Sequence, residues 1–202
     1  MFNRRIGTLV VSAVAVAFPG GLPAAETVVE SFDRGAVALE WQIVNDSVMG
    51  GVSRSGLERV DDEVVRFRGQ LRLENNGGFA SVRASGRLPD LTRTKAMMIR
   101  VKGDGRTYQL RLRTSDGWRT PDYSAEFATE AGKWQTHLLP LSEFVAGWRG
   151  RAIRNAPPVE PSDIRSVGIL LGDKKPGAFS IDIDWIKALI GRAAGESDAW
   201  ES

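Results

Sequence analysis

The chain has 202 residues, with 27 Lys+Arg against 25 Asp+Glu, 42% hydrophobic residues, one His and no Cys. That length fits one β-sandwich or barrel domain, and the hydrophobic and charged content exclude a wholly disordered or fibrous chain. A single imidazole and no thiol exclude disulfides, thiolate nucleophiles, Cys-ligated zinc or iron–sulfur sites and multi-His metal centres, so no cofactor or metal is expected.

In chain order, residues 1–25 read as a targeting segment. A basic start with Arg4 and Arg5 precedes an apolar run from Ile6 to Phe18, and then a small-residue exit ending in Ala24 and Ala25. The run is shorter than the ~20 residues a membrane-spanning helix needs. This pattern predicts a cleaved signal peptide, a mature chain from near Glu26 with no membrane span, and an exported, periplasmic or secreted protein. Without the two signal arginines, 25 basic residues face 25 acidic ones, so overall charge does not point to nucleic acid. Charge is nevertheless uneven. Residues 66–119 hold 13 basic and 4 acidic residues. Either neighbouring strands neutralise this stretch, or it forms a basic face for an acidic partner such as an anionic glycan, lipid headgroups or an acidic protein patch.

Most of the remaining chain alternates with period two, the mark of half-buried strands. Over 63–68, Val65 and Phe67 share one face; over 96–102, Met97, Ile99 and Val101 do. Over 107–113, Tyr108, Leu110 and Leu112 point in, and Arg111 and Arg113 point out. Segment 133–139 places Trp134 with Leu138 inward, opposite Gln135 and His137. Segment 178–186 sends Phe179, Ile181, Ile183 and Trp185 inward and Asp182 and Asp184 outward. The apolar run 165–171 predicts a strand covered on both faces. Turns are expected at Gly50-Gly51, Asn76-Gly77, Asp104-Gly105, Asp116-Gly117 and Pro176-Gly177, with short helical turns near 141–144 and 161–164 capped by Ser142 and Ser162. Residues 188–202 read as a loose tail. The fold class is all-β: one domain over 26–187, a jelly-roll or β-sandwich of two antiparallel sheets.

Four segments carry a resemblance. They are Trp41-Gln-Ile-Val-Asn-Asp-Ser-Val-Met-Gly-Gly-Val-Ser53, Leu73-Glu-Asn-Asn-Gly-Gly-Phe-Ala-Ser-Val-Arg83, Val101-Lys-Gly-Asp-Gly-Arg-Thr-Tyr108 and Ala178-Phe-Ser-Ile-Asp-Ile-Asp-Trp-Ile186. In that order and spacing the chain resembles the complex I intermediate-associated protein 30 family over about residues 30–187. The resemblance implies a galactose-binding-like jelly-roll and a non-catalytic role in assembling respiratory complex I, as for the family's mitochondrial members.

Candidate binding residues follow from side-chain chemistry. Asn45, Asp46 and Met49 lie in the loop that ends at Gly50-Gly51, where Asx side chains bond their own backbone and Gly permits positive φ; Asp46 offers oxygen to a structural calcium or to sugar hydroxyls, though no calcium-loop spacing is present. Asn75 and Asn76 bring amides that match sugar hydroxyls or a peptide backbone, ahead of Phe79 as a core residue. Trp118 and Trp148 fall in loops beside arginines and suit a sugar stack or an interface anchor. Arg100, Arg111 and Arg113 would cluster if their two strands pair, balanced by Asp182 and Asp184 or by an anion. A catalytic reading has only His137, with no nucleophile elbow, and the carboxylates of Asp182 and Asp184, roughly 7 Å apart along a strand. The expected function is therefore a non-enzymatic binding protein that engages a protein partner through loops 45–51 and 74–79, with carbohydrate binding as the alternative.

Overall fold

Period-two alternation leaves each strand with an apolar face that water excludes, and two such sheets close on each other. The computed structural model describes residues 25–34, 39–115, 120–148 and 150–191. Within them run β1 (Ala25–Glu30), β2 (Glu40–Ile43), β3 (Arg54–Arg59), β4 (Val65–Leu71), β5 (Ala80–Ser85), β6 (Thr94–Lys102) and β7 (Thr107–Arg113). They are followed by β8 (Asp122–Ala128), β9 (Trp134–Pro140), β10 (Val145–Trp148), β11 (Arg151–Ala152), β12 (Ser166–Leu171) and β13 (Gly177–Ile190). The only helical elements among the described residues are short 3-10 turns, and no helix there is long and apolar enough to cross a membrane.

Two antiparallel sheets form the sandwich. One has the order β3-β4-β13-β6-β9, with β1 also on β13; the other has the order β11-β10-β8-β7-β12-β5-β2. The long strand β13 organises the first: its early half pairs with β4, its late half with β1, and β6 runs along its other edge. Between the sheets Phe67, Tyr108, Leu110, Ile169 and Ile181 are fully buried, and Phe67 meets Phe179 edge-on at 5.0 Å. β12 is buried on both faces along its whole length, as its apolar run predicts.

The expected inward residues of β4, β6 and β7 all lie in this core. Four expectations change. A β-bulge between Ile183 and Trp185 shifts the parity of β13, so Ile186 and Ala188 face inward. Trp185 is left half-buried under Lys187, whose Nζ stands 4.5 Å from the ring centroid. On β9 the phase is opposite to the one read: Leu139 faces the core and Trp134 lies 38% exposed, because adjacent Leu138 and Leu139 permit either phase. β13 runs to Ile190, which draws residues 188–190 out of the expected tail and into the sheet. The 3-10 turns Leu141–Glu143 and Pro161–Asp163 stand where helical turns were expected, but neither has a side-chain cap. The targeting segment, except Ala25 at the start of β1, lies outside the described residues, as do residues 192–202.

His137 on β9 is half-buried against Phe127, ring centroids 5.1 Å apart, with Nε2 shut from water and without a hydrogen-bond partner. Burial holds its imidazole below the ordinary value. The folded state thus favours the neutral ring, and its contribution to stability is present above about pH 6.5 and lost as pH falls below that. Urea unfolding compared at about pH 7.5 and about pH 5.5 should show a loss in the wild type that His137→Gln reduces.

Candidate functional site

The site begins with a carboxylate that has no contact with water. Asp46 opens the 3-10 turn Asp46–Met49 after β2 and is 0% exposed. Its Oδ1 accepts the Ser53 backbone N–H at 2.9 Å. Its Oδ2 accepts the Ser53 hydroxyl at 2.6 Å, the Gly78 N–H at 2.7 Å and the Phe79 N–H at 3.4 Å. Burial pushes this carboxyl up, but the donors from Ser53, Gly78 and Phe79 outweigh it and hold the group below the usual carboxylate range. Both oxygens are spent on N–H and O–H donors, which orients the group against a cation: the donors present hydrogens where a metal would sit. Among the described residues no cluster of His, Asp and Glu is arranged to hold a metal.

Asp46 thereby ties loop 45–53 to loop 74–79. The packing explains the glycines: a β-carbon on Gly51 would overlap the Asp46 carboxylate, and one on Gly77 would stand 2.6 Å from Oδ2. Asn45, 9% exposed, extends the tie, its Oδ1 accepting the Ser55 hydroxyl at 2.7 Å and the Ser81 N–H at 3.3 Å. Asn75 and Asn76 both take left-handed backbone at φ 57° and 59°, and Asn75 Nδ2 donates to the Gly50 carbonyl at 3.2 Å. Lys174 Nζ donates to the Gly77 and Gly78 carbonyls, each at 3.3 Å. On this braced pair of loops Val48 is 67% exposed and Met49 55%, with Val52 and Leu73 also exposed.

The structure brings together Asn45, Asp46, Met49, Asn75 and Asn76, as expected, but divides them. Asn45 and Asp46 lie beneath the loops, and Met49, Asn75 and Asn76 lie on top. Arg100 does not join Arg111 and Arg113, because β6 and β7 belong to different sheets. Arg100 Nε instead reaches Asp184 at 3.2 Å, with its guanidinium 5.4 Å from the Trp134 ring. Arg113 Nε and Arg111 Nη2 close on the two oxygens of Asp122. Trp148 is half-buried at the end of β10, and Trp118 lies outside the described residues. Phe79 is half-buried rather than in the core.

Carboxylates from elsewhere in the fold answer much of the basic stretch: Arg66 and Lys102 hold Asp182, Arg68 meets Glu58, and Arg106 meets Asp173 at 2.6 Å. Asp182, expected on a wet face, is 2% exposed. Burial pushes its carboxyl up, but Arg66 and Lys102 hold it below the usual range with both oxygens engaged. Asp184 is pushed up by burial, partly offset by Arg100. Val48, Val52, Leu73 and Ser53 were not singled out by sequence; the apolar pair flanking Gly50-Gly51 was the available signal for the first two.

Comparison with known proteins decides the relationship. The family model for complex I intermediate-associated protein 30 matches residues 31–183. The chain belongs to the complex I intermediate-associated protein 30 family. The mitochondrial protein of that name from Mus musculus is 30% identical over 117 residues, covering 56% of this chain and 36% of that protein. The one from Drosophila melanogaster is 23% identical over 186 residues, covering 81% and 63%. The chain thus spans less than two thirds of the length of these relatives. Both are named as mitochondrial, which overturns the expected periplasmic or secreted location. In fold the chain is similar to the family 11 carbohydrate-binding module of a Clostridium thermocellum cellulosomal cellulase, at a TM-score of 0.63 and 14% identity, covering 84% of this chain and 97% of the module. That likeness shows the β-sandwich fold of two antiparallel sheets expected from the sequence.

Asp46→Ala strands the buried N–H groups of Ser53 and Gly78 and should cost about 3 kcal/mol of unfolding free energy by urea denaturation. Asp46→Asn, which keeps one acceptor oxygen, should cost less.

Proposed function

We propose that this chain is a non-enzymatic binding protein that docks on a protein partner in the manner of an assembly factor for respiratory complex I, using loops 45–51 and 74–79. The observation that carries this reading is the exposure of Val48 and Met49 on a turn fixed from below by the buried Asp46 carboxylate. Two adjacent large apolar side chains held in water lose hydration cost when a partner covers them, at ~25 cal/mol per Å² of apolar area. Because the loop is already ordered, little further conformational entropy is lost on docking. Asn75, Asn76 and the exposed Arg72–Glu74 pair supply a polar rim around that apolar centre. Family membership supports the choice of partner class, since the relatives are named as intermediate-associated proteins of complex I. A carbohydrate reading is less well supported at these loops, where Asn45 Oδ1 and Asn75 Nδ2 are spent on the protein's own groups. A non-enzymatic role accords with Asp182 locked in ion pairs and His137 packed against Phe127.

The test uses the full chain as bait on detergent-solubilised respiratory membranes, beside a Val48→Asp/Met49→Asp double variant, with captured proteins identified by mass spectrometry. Complex I subunits should be captured by the wild type and lost in the variant, whose unfolding temperature should stay unchanged because both positions are on the surface. Capture of no complex I subunit, or equal capture by the variant, overturns the reading; retention on a glycan array alone favours the carbohydrate alternative.

A further inference from the structure

The outer face of the seven-stranded sheet holds a basic recess whose chemistry differs from that of the apolar loops 45–51. Across the strands, Arg83 on β5 and Arg111 on β7 both stand opposite Gly168 on β12. With strands ~4.8 Å apart, their α-carbons flank that glycine at roughly 10 Å, and no side chain fills the space between. A β-carbon at Gly168 would approach the Val82 carbonyl to 2.8 Å, so backbone crowding as well as the gap keeps this position bare. The resulting recess, of about 10 Å³, is lined by Arg83, Arg111, Arg113, Asp122, Ser81 and the Gly168 backbone. That is room for one oxygen-sized group.

The charges around it are out of balance in a specific way. Asp122 has one oxygen taken by Arg113 Nε at 2.8 Å and the other by Arg111 Nη2. Arg83 makes no ion pair with any described residue, although it is partly buried. Arg111 Nε is shut from water and has no hydrogen-bond partner. Burial first, and then the charge of Arg113, disfavours the protonated form of Arg83, with Asp122 only partly offsetting them. A guanidinium keeps its proton nonetheless, so the fold carries an unanswered cation and an orphaned donor beside one small opening.

We propose that this recess binds the carboxylate group of a ligand, one oxygen seated between Arg83 and Arg111 over Gly168 and the second left at the mouth. A planar two-oxygen anion matches the fork of donors that guanidinium groups present, and it supplies a negative partner for Arg83, which has none among the described residues. The arginines of this site are not among the residues of the apolar knob, and the proposal does not depend on the partner proposed for that knob.

The experiment follows the arginine Nε–Hε resonances of the full chain by nitrogen-15 correlation spectra during titration with acetate, at constant ionic strength against chloride. Acetate should shift the Arg111 resonance saturably, and Arg83→Gln should weaken that binding about tenfold or more. Arg83→Lys, which keeps the charge and loses the fork, should weaken it less, and it reads the same contact if Arg83→Gln fails to fold. N-acetylglutamate and glucuronate as further probes distinguish an amino-acid side chain from a sugar acid as the source of the carboxylate, the tighter of the two naming it. A shift that acetate and chloride share, or an acetate affinity unchanged in both Arg83 variants, overturns the proposal.

Discussion

A carboxylate removed from water has to be hydrogen-bonded on every side, and Asp46 meets that requirement by drawing two separate loops onto one point. Ser53 comes from just before β3, Gly78 and Phe79 from the loop before β5, and Asn45 adds Ser55 and Ser81. Gly51 and Gly77 beside it carry no β-carbon because the carboxylate leaves no space for one. Everything exposed above, from Val48 to Asn76, takes its position from this polar knot. The residues that look most like a binding motif are thus divided by function: the buried half holds, and the exposed half is available to touch.

Charge shows the same division of labour between sequence and fold. A stretch rich in arginine reads as a basic face when written as a line. In the sandwich its members go to both sheets, and antiparallel pairing sets a carboxylate from another strand beside several of them, Asp182 from β13 beside Arg66 of β4 and Lys102 of β6. Buried or half-buried pairs of this kind matter more for register than for net stability, because desolvation offsets much of the attraction. Against that background Arg83 stands out as a partly buried guanidinium that the neighbouring strands leave unanswered.

The family fold explains how one sandwich serves different ends. Pairing and core are carried by inward residues, and the two outer faces and the loops are free to vary. In this chain the loop end offers an apolar knob and the outer face of the seven-stranded sheet a cationic notch, two surfaces with different chemistry on one rigid frame.

By itself the sequence determined the all-β class, the inward residues of β4, β6 and β7, the doubly covered strand β12 and the two motif loops, because period-two alternation and turn chemistry are local properties of the chain. Tertiary structure alone decided the rest. The bulge that turns Trp185 outward and the phase that exposes Trp134 depend on which partner strand lies alongside, and neither is written in the strand's own alternation. Arg100 parts from Arg111 and Arg113 because consecutive strands enter different sheets, and Arg83 meets Arg111 because non-consecutive strands flank β12. Whether Asp46 binds or braces was likewise a question of burial, since a side chain's exposure is set by what the remote parts of the chain pack against it.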